Sequence, residues 1–165
     1  MDHELYPLAE QVGLALKANG WMLATAESCT GGWVAQAVTM VPGSSQWLEC
    51  GFIVYTDNAK QEMLGVTAPT LAQYGAVSEP TAREMALGTL ARSHAQIALA
   101  VTGIAGPDGG SADKPVGTVC FAWCVRGGTP VTETRHFKGD RDAVRRQSVT
   151  RALSGVLDLS TTRHT

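Results

Sequence analysis

Apolar positions along the chain repeat in two rhythms. Leu5, Leu8, Ala9, Val12, Ala15 and Leu16 recur at helical spacing, and Gly20 stops the stripe. Residues 21–26 then read as a core strand that runs into Glu27-Ser28-Cys29-Thr30-Gly31-Gly32. Trp33, Val34, Ala37, Val38 and Val41 return to the helical period. Residues 52–54 form a continuous apolar run, as in a buried strand, with Tyr55 and Thr56 leaving its carboxyl end. Asp57-Asn58 signals a helix start, Asn58 and Gln61 have capping-box spacing, and the short helix ends near Gly65. After a helical turn over 68–74, Ser78 as N-cap and Pro80 in the first turn open a helix carrying Ala82, Met85, Ala86 and Leu90.

Residues 97–101 are a second continuous apolar strand. The runs 118–125 and 131–137, joined by the turn Arg126-Gly127-Gly128-Thr129-Pro130, read as an antiparallel hairpin. Asp140 caps a last helix with Val149, Ala152, Leu153 and Val156 inward, and the tail after Leu159 reads as frayed. Helices and buried strands thus alternate through one domain spanning residues 1–165. The pattern predicts a three-layer α/β/α sandwich with a mostly parallel sheet and an antiparallel hairpin near the C-terminus.

Composition narrows the partners. With 165 residues and 44% hydrophobic content the chain can bury one sizeable core. A net charge of -2 and a pI near 6.1 argue against a nucleic-acid or membrane surface binder. No apolar run approaches a membrane span, and the acidic start MDHELYPLAEQ is unlike a secretion signal, so a cytoplasmic protein is expected. Cys29, Cys50, Cys120 and Cys124 form no C-x-x-C pair and read as free thiols, with Cys29 beside Ser28 also a candidate nucleophile. The scattered histidines have no ligand spacing, and neither a metal nor a cofactor is expected.

Candidate chemistry lies in three loops. The segment PGSSQWLECGFIVYTDNAK, residues 42–60, brings Ser44, Ser45, Tyr55 and Lys60 together without a histidine. Lys60 falls in the first turn of a helix, where the macrodipole disfavours a cation; burial would favour the neutral amine further. A neutral lysine can activate a serine against a carbonyl, although a strand, a turn and a solvated lysine would give the same pattern. The turn with Ser28, Thr30, Gly31 and Gly32 leads from a strand into a helix, a place where backbone N–H groups suit an anion. The loop over 102–111, with Thr102, Gly103 and Gly106, leaves the carboxyl end of a buried strand, where open α/β sheets place ligands. Arg141, Arg145 and Arg146 follow on the last helix, as a solvated face or beside an anion site.

Together TAESCTGG, PGSS followed by GFIVYTDNAK, GAVSEP, VTGIAGPDGGSADKPVGTV and FKGDRDAVRRQ resemble the CinA C-terminal domain family in its stand-alone form, over nearly the whole chain. The resemblance implies hydrolysis of the carboxamide of nicotinamide mononucleotide to nicotinate mononucleotide and ammonia, a salvage step in NAD metabolism. Carried over, the family's serine, tyrosine and lysine fall on Ser45, Tyr55 and Lys60, with Ser44 and Ser28 as rival nucleophiles. The helix start at Thr30-Gly31-Gly32 and the loop over 102–106 would meet the ribose phosphate, with Arg141 or Arg145. The N-terminal domain that confers pyrophosphatase activity on larger relatives has no counterpart in this sequence, so no such activity is expected. A homodimer is expected from the habit of small α/β enzymes. The family's historical name also leaves a non-catalytic binding module linked to competence or DNA damage as an alternative.

Overall fold

The computed structural model describes residues 1–162. The chain runs α1 (Tyr6–Asn19), β1 (Leu23–Glu27), α2 (Trp33–Thr39), a 3₁₀ turn (Ser44–Gln46), β2 (Leu48–Ile53), α3 (Asp57–Leu64), α4 (Ala68–Tyr74), α5 (Glu79–Ala91), β3 (Ile97–Gly103), β4 (Thr118–Val125), β5 (Val131–His136) and α6 (Arg141–Thr162). The five-stranded sheet has the order β2-β1-β3-β4-β5. β2, β1 and β3 are parallel, while β4 and β5 run antiparallel beside them, as the hairpin signal predicts.

Helices cover both faces, but the two layers differ in depth. On β3, Ile97, Leu99 and Val101 face the side of α1, α2 and α6, and Ala98 and Ala100 face α5. β4 repeats the split, with Phe121 and Trp123 on the first side and Cys120, Ala122 and Cys124 on the second. Small residues let α5 approach the sheet closely. At Gly88 of α5, an added Cβ would lie 1.9 Å from the Leu64 carbonyl oxygen, so α3 is seated directly on α5. No helix among the described residues is long and apolar enough to cross a membrane.

Three local expectations change. β2 begins at Leu48, before the apolar run at 52–54, because the parallel register pairs Leu48 with Leu23. It is an edge strand, half-exposed along its length, with Val54 just beyond it fully buried. The N-cap of α3 is Thr56, whose Oγ1 accepts from Ala59 N at 3.0 Å, and not the Asn58–Gln61 box. The tail expected to fray after Leu159 continues as helix to Thr162, since Asn19 Nδ2 donates to the Ser160 carbonyl at 2.8 Å and ties α6 to α1. The rest of that tail, residues 163–165, lies outside the described residues.

Candidate active site

The parallel strands β2, β1 and β3 end together, and the chain after β1 is held between its two neighbours. Ser28 N donates to Val101 O at 3.0 Å and Val54 N donates to Glu27 O at 2.9 Å. Lys60, in the first turn of α3, projects into this junction. Its Nζ lies 3.1 Å from Ser28 Oγ, 3.0 Å from Val54 O and 3.1 Å from Tyr55 O. The lysine is 1% exposed, and burial pushes its pKa below the ordinary lysine value against the opposing charge of Asp57. Ser28 is 7% exposed, so the dyad sits just beneath the surface.

The turn after Ser28 is built around a buried carboxylate. Glu27 Oε1 accepts from Thr30 Oγ1 at 2.6 Å and from Val34 N at 2.9 Å, and Oε2 accepts from Ala35 N at 3.0 Å. The N-cap of α2 is Gly32, which has no side chain, so Glu27 satisfies the first helical donors from the preceding strand. Glu27 thus takes the Thr30 hydroxyl and the Val34 and Ala35 amides, donors that a phosphate at Thr30-Gly31-Gly32 was expected to use. Gly31 and Gly32 instead serve the turn, with φ of 59° and 103°, a left-handed region that side chains disfavour.

Two arginines of α6 reach back over the strand ends. Arg145 Nε donates to Cys29 O at 3.1 Å and its Nη2 to Thr30 O at 3.2 Å, while the guanidinium lies 5.3 Å from the Trp33 ring centroid. Arg141 Nη1 donates to Gly106 O at 2.9 Å and its Nη2 to Tyr55 Oη at 3.3 Å. Both line a cleft of about 490 Å³ with Ala105, Pro107, Val116, Gly139, Asp140 and Asp142. That volume suits a small-molecule ligand. Ser28 and Lys60 do not line the cleft; Arg145 joins it to the turn that follows Ser28.

The loop over 102–111 contributes in part. Thr102 Oγ1 donates to Ala76 O at 3.0 Å, and an added Cβ at Gly103 would lie 2.8 Å from Val119 Cγ2 and 3.1 Å from Cys29 Sγ. These two positions serve packing. Gly106 touches the cleft through Arg141 on its carbonyl, beside Ala105 and Pro107.

Ser45 and Ser44 lie elsewhere. They form the 3₁₀ turn before β2, where Trp47 O accepts from Leu23 N at 2.7 Å, at the amino ends of the strands. The five residues of β1 place that end roughly 16 Å from Ser28. Tyr55 is 58% exposed; its main-chain carbonyl accepts from Lys60, but its hydroxyl accepts from Arg141. Cys29 is buried, and burial pushes its thiol up to about 12, which disfavours the thiolate a nucleophile needs. The residue missed by reading the sequence is Glu27, whose signal was an acidic residue at the end of an otherwise apolar strand.

Comparison with known proteins agrees with this architecture. The model of the CinA C-terminal domain matches residues 5–160. Nicotinamide-nucleotide amidohydrolase PncC of Escherichia coli (strain K12) is 57% identical over 152 residues, 92% of each chain. The PncC of Enterobacter agglomerans is 51% identical over 156 residues, 94% of this chain and 95% of that one. The crystal structure of a competence/damage inducible protein from Agrobacterium tumefaciens superposes with a TM-score of 0.93 at 44% identity, covering 98% of both chains. With its sheet order, its strand-end cleft and a family match over nearly its whole length, this chain belongs to the CinA C-terminal domain family.

Proposed function

We propose that this protein hydrolyses the carboxamide of nicotinamide mononucleotide to nicotinate mononucleotide and ammonia, with Ser28 as nucleophile and Lys60 as general base. The hydrogen-bond count at Lys60 carries the assignment. A neutral amine has two N–H donors and one lone pair. The carbonyls of Val54 and Tyr55 can take the two donors, leaving the lone pair to face the Ser28 hydroxyl at 3.1 Å. Burial favours that neutral form, and no histidine is required.

The proposed steps use these two groups. Lys60 takes the hydroxyl proton as Ser28 Oγ bonds to the carboxamide carbon, and the carbonyl electrons move onto oxygen. The ammonium of Lys60 returns the proton to the amide nitrogen as the C–N bond breaks, and ammonia leaves an ester on Ser28. Water, deprotonated by the same amine, attacks the ester carbon; the acid departs and Ser28 regains its proton. Tyr55 supports Lys60 through its carbonyl and meets Arg141 through its hydroxyl. Arg141, exposed at the cleft and holding one carbonyl and the exposed Tyr55 hydroxyl, meets the substrate phosphate, since the half-buried Arg145 spans two carbonyls of the turn.

The substrate rests on the names of the Escherichia coli and Enterobacter agglomerans relatives, both nicotinamide-nucleotide amidohydrolases. The test is ammonia release from nicotinamide mononucleotide by the purified protein, with nicotinate mononucleotide identified as the second product. Stoichiometric ammonia and acid are expected, and an Arg141→Met variant should raise KM about tenfold or more with a smaller change in kcat. Binding of the nucleotide without ammonia release would overturn the enzymatic reading in favour of a binding module.

A further inference from the structure

The peptide unit between Cys29 and Thr30 is gripped from two directions. Its carbonyl accepts from Arg145 Nε at 3.1 Å, and the Thr30 side chain donates to the buried Glu27 carboxylate at 2.6 Å. The next carbonyl, that of Thr30, accepts from Arg145 Nη2 at 3.2 Å. In a trans peptide the N–H points opposite to the C=O. Holding Cys29 O against Arg145 therefore turns Thr30 N–H away from the guanidinium.

The turn fixes where that N–H goes. Gly31 N donates to Ser28 O at 3.1 Å, making Ser28 the first residue of a four-residue turn and Thr30 the third. In such turns the N–H of the third residue lies on the side of the first residue's side-chain oxygen, the arrangement that serine hydroxyls exploit in local turns. Thr30 N has no protein acceptor among the hydrogen bonds of the described residues, Cys29 N meets only its own thiol, and Ser28 N and Gly31 N are both used by the fold. An N–H beside Ser28 Oγ, with no acceptor of its own, suits the oxygen that gains charge when Ser28 attacks a carbonyl.

We infer that Thr30 N–H is the principal oxyanion donor and that Arg145 and Glu27 are positioning residues that hold its peptide in the productive orientation. The inference rests on the Ser28 mechanism above. It assigns to Arg145 a role on the enzyme's own backbone in place of the substrate phosphate. The guanidinium also draws electron density from the Cys29 carbonyl, which makes the attached N–H a better donor. Among the ion pairs of the described residues Arg145 has no carboxylate partner, so its charge is shared between the two carbonyls and the Trp33 ring.

The experiment separates kcat from binding in Arg145→Lys and Thr30→Val. Lysine keeps the charge but cannot bridge two carbonyls in a fixed fork. Valine keeps the shape of threonine and removes only the hydroxyl that Glu27 holds. Losing one oxyanion donor lowers kcat by about 10²–10³. Arg145→Lys should therefore lower kcat by roughly tenfold to a hundredfold, and Thr30→Val by a smaller factor. The Kd of nicotinate mononucleotide, measured by calorimetry, should stay within about threefold of the parent in both. A Kd weakened more than tenfold in Arg145→Lys with kcat retained would overturn the inference and make Arg145 a phosphate ligand. Unchanged kcat in both variants would overturn it as well. Failure of the underlying mechanism reads differently, as full activity in Ser28→Ala.

Discussion

The two ends of the parallel sheet each carry a serine-containing turn, and they differ in what surrounds the hydroxyl. At the amino ends, Ser44 and Ser45 sit in a 3₁₀ turn on the surface, anchored through the buried Trp47 against Gly13 of α1. At the carboxyl ends, Ser28 meets a buried lysine, a buried carboxylate orders the turn behind it, and two arginines frame a cleft beside it. A serine is common; a serine facing an amine whose pKa burial lowers is not. Parallel strands bring loops from three strands to the same end, and that convergence gathers the polar groups there.

This contrast can be broken by substitution. The largest effect is expected for Lys60→Met: kcat/KM should fall by about 10³-fold or more, since both base and proton donor are lost. In the parent, activity should rise with pH as the Lys60 ammonium loses its proton, with a midpoint below that of an ordinary lysine. Stability carries the same signature. The folded-state pKa of Lys60 is lowered, so between that value and the unfolded value of 10.5 the unfolded chain binds more protons and folding stability rises with pH. Thermal melts of parent and Lys60→Met across pH should show that rise in the parent only; parallel curves would contradict the lowered lysine.

Packing predictions rank next. In Gly88→Ala the new Cβ would meet the Leu64 carbonyl at 1.9 Å, forcing apart α5 and the helix that carries Lys60. Overpacking of this kind costs about 2–3 kcal/mol. Tm should then fall by roughly 4–12 °C, with activity reduced alongside. The smallest effect is expected at the amino end. Gly43→Ala places a side chain at a φ of 88°, at a cost of about 1 kcal/mol. Tm should fall slightly and kcat should not change. A loss of turnover in Gly43→Ala would move chemistry to the amino end and erase the distinction between the two turns.

Much of this was legible in the sequence, at the level of elements. Alternating apolar periods gave the three layers and the hairpin, and Ser78 and Asp140 cap their helices as their positions suggest, accepting from Thr81 N and Ala143 N. Lys60 stood out because a lysine in a helix's first turn needs a reason. The choice of serine was harder, because 32 residues separate Ser28 from Lys60 and their contact depends on β1 lying between β2 and β3. One clue was present: Ser45 precedes β2 and Lys60 follows it, so an extended strand must hold them apart, whereas Ser28 and Lys60 both follow strands. The role of Glu27 was not legible, because a carboxylate within a glycine-rich turn does not announce that it fills the anion site the turn advertises.

The most direct test compares Ser28→Ala with Ser45→Ala by ammonia release from nicotinamide mononucleotide under one set of conditions. Ser28→Ala is expected to lose activity by about 10³-fold or more while Ser45→Ala stays within about twofold of the parent. Full activity in Ser28→Ala together with loss in Ser45→Ala would contradict this expectation, and would place the nucleophile at the opposite end of the sheet from Lys60.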